Sequence, residues 1–95
     1  MRVKYTPSAR AELIKELGFI ASRNFQAAQN ISAKIKKGFK QLASFPDSGR
    51  VVPELGDLGK RELLVKPLRL FYQIEDGTIW IVAVYHEKQL VSGED

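Results

Sequence analysis

The sequence predicts an α+β fold of two layers in the order β-α-α-β-β-β, an N-terminal strand and a two-helix hairpin packed on an antiparallel sheet. Three observations carry this. Apolar residues recur at helical spacing over two stretches, between residues 9 and 44. Apolar, β-forming runs fill residues 61–86 and are broken by Asp76-Gly77, a strong two-residue hairpin signal. The chain has 95 residues and 44% hydrophobic content, enough for one modest core and therefore one domain, residues 1–95.

The first strand is "RVKYT", residues 2–6, which alternates and includes β-formers. Thr6 then caps a helix whose first position is Pro7, where a missing N–H costs nothing. Ala9, Leu13, Leu17, Ile20 and Ala21 form its apolar stripe, and "SRN" at 22–24 interrupts it. A longer helix runs from about Phe25 to Ser44, with Ala28, Ile31, Ile35, Phe39 and Leu42 inward. Residues 45–60, "FPDSGRVVPELGDLGK", read as a loop, because proline and glycine punctuate it and apolar periodicity is lost. A loop this long is usually functional or disordered. Strands follow at 61–66, 68–75 and 78–86, and the tail "EKQLVSGED" is polar and expected to fray.

Composition narrows the function classes. There is no cysteine, so disulfides and thiolate metal sites are excluded, and with a single histidine no metal or cofactor is expected. No run approaches the ~20 apolar residues of a membrane span, and the N-terminus lacks an apolar signal core, so a cytoplasmic protein is expected. The net charge of +4 favours acidic or polyanionic partners. Lys34, Lys36, Lys37 and Lys40 lie mostly off the apolar stripe of the second helix. They read either as a solvated face or as an electrostatic footprint for RNA or an acidic protein.

A two-residue turn at Asp76-Gly77 sets Glu75 opposite Thr78, then Ile74 opposite Ile79, Tyr72 opposite Ile81 and Leu70 opposite Ala83. That face is apolar and meets the helices. The other face carries Arg69, Phe71 and Gln73 against Val84, Val82 and Trp80, with His86 two residues beyond Val84. On this register Arg69 and His86 are diagonal neighbours, roughly 7–8 Å apart at the backbone. An imidazole moves protons near neutral pH, and a guanidinium holds a phosphate, so the pair suits phosphodiester chemistry. The competing reading is structural: an arginine in this place often pairs with a nearby carboxylate. Trp80, Phe71, Val82 and Val84 are too apolar for an open face and call for a cover, either the 45–60 loop, a partner chain or a stacked base.

The ordered set "FPDSGR", "PE", "KRELLV", "LRLFYQIEDG" and "IVAVYH", in a chain of this length and layout, resembles the RelE/ParE superfamily of type II toxins over residues 2 to 88. The resemblance implies a toxin held inactive by a cognate antitoxin protein. RelE- and YoeB-like members enter the ribosome and cut mRNA without a metal, whereas ParE-like members poison DNA gyrase and are not nucleases. The YoeB-like pattern would make Glu54 a general base, Arg61 and Arg69 phosphate ligands, and His86 a general acid. It implies ribosome-dependent mRNA cleavage with no cofactor, and Lys34, Lys37, Lys40, Arg50 and Lys60 as RNA contacts; the alternative is gyrase inhibition. YoeB-like toxins place a tyrosine straight after the histidine, where this chain has Glu87. The position of Arg61 is left open. A two-residue Pro67-Leu68 turn points it to the helix side, and a three-residue turn or bulge brings it to the Arg69 face.

Overall fold

The computed structural model describes residues 1–55 and 59–89. Strand β1 (Arg2–Tyr5) leads into helices α1 (Pro7–Arg23) and α2 (Phe25–Ser44). Strands β2 (Arg50–Val51), β3 (Arg61–Val65), β4 (Leu68–Glu75) and β5 (Thr78–His86) follow. The α+β order expected from the sequence is therefore present, with β2 added inside the long connection.

The helix ends form where the sequence places them. The Thr6 hydroxyl accepts from the Ala9 N–H at 3.2 Å, with Pro7 opening the first turn. Asn24 serves both helices. Its backbone N–H closes α1 on the Ile20 carbonyl, and its side chain accepts from the Ala27 N–H at 3.0 Å to open α2. One residue thus satisfies orphan groups at two helix ends and fixes the hairpin.

The sheet is mixed, in the order β1-β5-β4-β3-β2. β3, β4 and β5 are antiparallel, while β1 lies parallel to β5, so the all-antiparallel expectation holds only for the C-terminal part. One core sits between the helices and one sheet face. Ala9, Leu13, Ile31, Ile35 and Leu42 pack over Leu68, Leu70, Tyr72, Ile79, Ile81 and Val84. Each fully buried aliphatic side chain contributes about 1.5–3 kcal/mol, which makes this face the main source of stability.

The hairpin register departs from the expected one past its middle. Glu75 opposes Thr78 and Tyr72 opposes Ile81 as predicted. A bulge between Phe71 and Tyr72 then leaves Val82 unmatched, so Phe71 meets Ala83, Leu70 meets Val84, Arg69 meets Tyr85 and Leu68 meets His86. An extra residue in one strand reverses the facing of everything beyond it. The core accordingly takes Val84 instead of Ala83. His86 moves to the helix-facing side, and Tyr85 takes its place beside Arg69.

Candidate functional site: a buried arginine between two carboxylates

β3 and β4 join through Lys66-Pro67, with Val65 opposite Leu68. That places the connection one residue earlier than a Pro67-Leu68 turn. Arg61 therefore opposes Tyr72, Glu62 opposes Phe71 and Leu64 opposes Arg69. Opposed residues share a face, so Arg61 belongs to the helix side and Glu62 to the Arg69 side.

Arg69 is 5% exposed, and the adjacent Glu62 is 1% exposed. An unpaired charge at that depth would be costly, and each supplies the other's counterion. Arg69 donates from Nε to Glu62 Oε1 at 3.0 Å and from Nη2 to Glu62 Oε2 at 2.6 Å. Its other edge faces the loop: Nη1 donates to Glu54 Oε2 at 2.7 Å and Nη2 to Glu54 Oε1 at 2.9 Å. Both carboxylates are bound bidentately, the strongest arrangement for this pair. Arg50, from β2, adds a donation to Glu62 Oε1 at 3.1 Å. The cluster holds two arginines and two glutamates and is formally neutral.

Aromatic rings complete the cover. The Arg69 guanidinium lies 5.1 Å from the centroid of Phe71, and Phe71 lies 4.9 Å from Tyr85 at an interplanar angle of 47°. The tilted ring pair and the cation over a ring face are both favourable geometries. At the other end of the same sheet face, the Lys4 ammonium sits 5.8 Å from the Trp80 centroid, directly across the parallel β1–β5 pair. The loop glutamate thus covers the Arg69 end, and Lys4 lies over Trp80.

These contacts shift acidity. The paired Arg69 guanidinium holds the Glu54 carboxyl down at about 2, against an ordinary value of 4.5. Donation to the Glu54 and Glu62 carboxylates in turn raises Arg69 above its usual value. Glu54 is therefore ionised throughout the neutral range, and both its oxygens are committed to Arg69.

The remaining sequence candidates sit elsewhere. Arg61 donates from Nη1 to the Gly49 carbonyl at 2.9 Å and approaches Asp47 at 4.0 Å. It clamps the start of the long connection and does not join Arg69. His86 accepts at Nδ1 from the Lys88 N–H at 3.2 Å, and its own N–H donates to Gln89 at 2.6 Å. The expected Arg69–His86 juxtaposition is absent because the bulge puts the two on opposite faces. Lys34 and Lys37 line a groove beside β3, while Lys36 lines a different groove between the two helices. Lys40 is exposed. Lys60 is half-buried, and its carbonyl accepts from the Val52 N–H at 3.3 Å.

Glu62 is the residue that sequence reasoning missed. Its signal was a single acid inside the apolar run "RELLV", seven positions before the arginine it neutralises. Among the described residues, no group of three or more His, Asp or Glu side chains could hold a metal ion, and no helix is long and apolar enough to cross a membrane.

Comparison with known proteins gives one family. The model of the family described as the ParE toxin of the type II toxin–antitoxin system parDE matches residues 3–91. Among solved structures, the fold is shared with a chain of the chromosomal ParDE toxin–antitoxin system from P. aeruginosa at a TM-score of 0.67 and 20% identity. That alignment covers 90% of this chain and 95% of the other. No curated protein matches.

Proposed function

The chain belongs to the ParE toxin family of type II toxin–antitoxin systems, and on that premise we propose that it acts by inhibiting DNA gyrase and is held in check by a cognate antitoxin. One observation carries the choice over RNA cleavage. Arg69, the residue best placed by type to bind a scissile phosphate, spends its guanidinium on Glu54 and Glu62. A phosphate would have to displace a bidentate carboxylate from a buried cation, at a cost of several kcal/mol. The imidazole that would protonate a leaving oxygen lies on the opposite sheet face. In this reading the Arg69 cluster is a scaffold that holds the 46–54 connection against the sheet, and the toxin works through protein contacts.

The nuclease reading keeps one supporting observation, since two of its candidates, Glu54 and Arg69, do touch. Two reactions separate the readings. Purified chain is added to gyrase with relaxed plasmid, and to a cell-free translation reaction whose mRNA 5′ ends are mapped with and without ribosomes. Loss of supercoiling with intact mRNA is the expected result. Ribosome-dependent cuts with normal supercoiling would overturn the gyrase reading.

A further inference from the structure

The sheet face away from the helices is unevenly covered. Its Arg69 end lies under Glu54 and the Phe71–Tyr85 ring pair. Its other end holds an open groove of about 550 Å³ along β4 and β5, lined by Gln73, Glu75, Asp76, Thr78 and Trp80, with the start of α1 at its far wall. The hairpin register builds this groove. Gln73 opposes Trp80 and Glu75 opposes Thr78, so those four side chains rise from one face and Glu75 is the diagonal neighbour of Trp80.

Three observations indicate what the groove takes. The first is charge. Glu75 and Asp76 are the charged residues of its lining, both are exposed, and neither makes an ion pair or a side-chain hydrogen bond among the described residues. In a chain of net charge +4 they form a local inversion of sign. The second is unspent hydrogen bonding. The Trp80 indole N–H and the Gln73 amide, both half-buried, also lack side-chain partners among the described residues. The third is the ring, since tryptophan offers the best aromatic face for a cation. It already carries one: Lys4, exposed and outside any ion pair among the described residues, holds its ammonium 5.8 Å from the ring centroid. Arg2 stands on the same strand, opposite Thr78, and pairs with neither acid.

We propose that this groove is a docking site for an arginine side chain of a partner protein. The guanidinium would stack on the Trp80 indole and donate to the Glu75 and Asp76 carboxylates, with the Gln73 amide oxygen as a further acceptor. Arginine is selected over lysine because its planar fork stacks on a ring and donates in its own plane at the same time. A phosphate-bearing ligand would meet two carboxylates inside the groove, a like-charge contact. Lys4 is a rival cation at the same ring, so it weakens the site it borders. The inference holds whichever target the toxin acts on.

Trp80 is the only tryptophan of the chain, so its emission reads the site directly. The full chain is titrated with the blocked peptide acetyl-Gly-Arg-Gly-Arg-Gly-amide. A saturable change in emission is expected, with the lysine counterpart binding about threefold or more weaker. Glu75→Gln with Asp76→Asn should weaken binding about tenfold or more, and asparagine suits the φ of 49° at position 76. Lys4→Gln should strengthen binding about twofold or more, because a like charge leaves the ring. No saturable change would overturn the proposal, as would equal affinity in the double variant at an unchanged thermal midpoint. Weaker binding in Lys4→Gln would also overturn it. Adenosine monophosphate that saturates the emission change, and loses its binding in Lys4→Gln while the arginine peptide has no effect, would assign the groove to a nucleotide instead.

Discussion

Glu62 and Arg69 face one another across β3 and β4 with a 2.6 Å contact, and neither reaches solvent to any useful extent. Removing one partner strands the other. Glu62→Ala should lower the unfolding free energy by about 3 kcal/mol, the usual cost of breaking a buried pair. The double replacement Glu62→Leu with Arg69→Met should recover most of that loss, because it removes both charges and keeps the volume. Urea denaturation of the three chains checks this. A loss below about 1 kcal/mol in the single variant would mean that Glu54 alone suffices for Arg69.

Glu54 ties the long connection to Arg69 and carries a pH dependence. Its carboxyl is held near 2 in the folded chain, below its ordinary 4.5. A depressed folded value stabilises above the unfolded one, and that stability is lost as pH falls from about 4.5 towards 2. The Glu54 side chain is 35% exposed, so solvent screening reduces the effect to about 1 kcal/mol. Glu54→Gln should flatten the stability curve in that window and leave the slope above it unchanged. Parallel curves for the two proteins between pH 2 and 4.5 would remove the pair from the ledger.

Gly49 is required for space. A Cβ there would stand 2.3 Å from the Tyr72 hydroxyl, which donates to the Pro46 carbonyl at 2.7 Å and accepts from the Gly49 N–H at 2.9 Å. Gly49→Ala should cost about 1–3 kcal/mol by overpacking. For a domain of this size, each lost kcal/mol lowers the thermal midpoint by roughly 4–8 °C. Tyr72→Phe should cost about 1–2 kcal/mol by leaving two backbone groups without partners. Scanning calorimetry reads both, and an unchanged midpoint in Gly49→Ala would show that the 46–49 turn moves aside freely.

His86 lies outside the Arg69 cluster, half-buried at the end of β5. His86→Ala should leave stability within about 0.5 kcal/mol and leave the proposed gyrase inhibition intact. Full loss of inhibition in a folded His86→Ala chain would place the histidine in the functional surface.

The elements were readable because each has a local cause. Thr6-Pro7 starts a helix, Asn24 breaks one, and Asp76-Gly77 turns a hairpin, whatever surrounds them. The site was less readable because it depends on register carried over distance. In β5 the run Val82-Ala83-Val84 is apolar at every position, so nothing in its pattern marks where the alternation slips. Buried residues fall at 79, 81 and 84, a spacing of two and then three, and this step appears only when Val84 is seen in the core. The same difficulty hid Glu62. Its facing follows from a two-residue connection at Lys66-Pro67, and lengthening that turn by one residue would exchange Arg61 for Glu62 on the Arg69 face. The alternative that an arginine here pairs with a carboxylate was readable from residue type; which carboxylate was not.

The order β1-β5-β4-β3-β2 puts one of the last-made strands in the interior and the first-made strand at the rim. Arg2 waits for Thr78, and Tyr5 for Ile81. A ribosome that has made only the first three quarters of the chain has therefore made helices without a finished floor to lie on. Tyr85, which stacks on Phe71 beside the arginine cluster, arrives later still. Products terminated before β5 therefore lack the strand that joins β1 to the rest of the sheet.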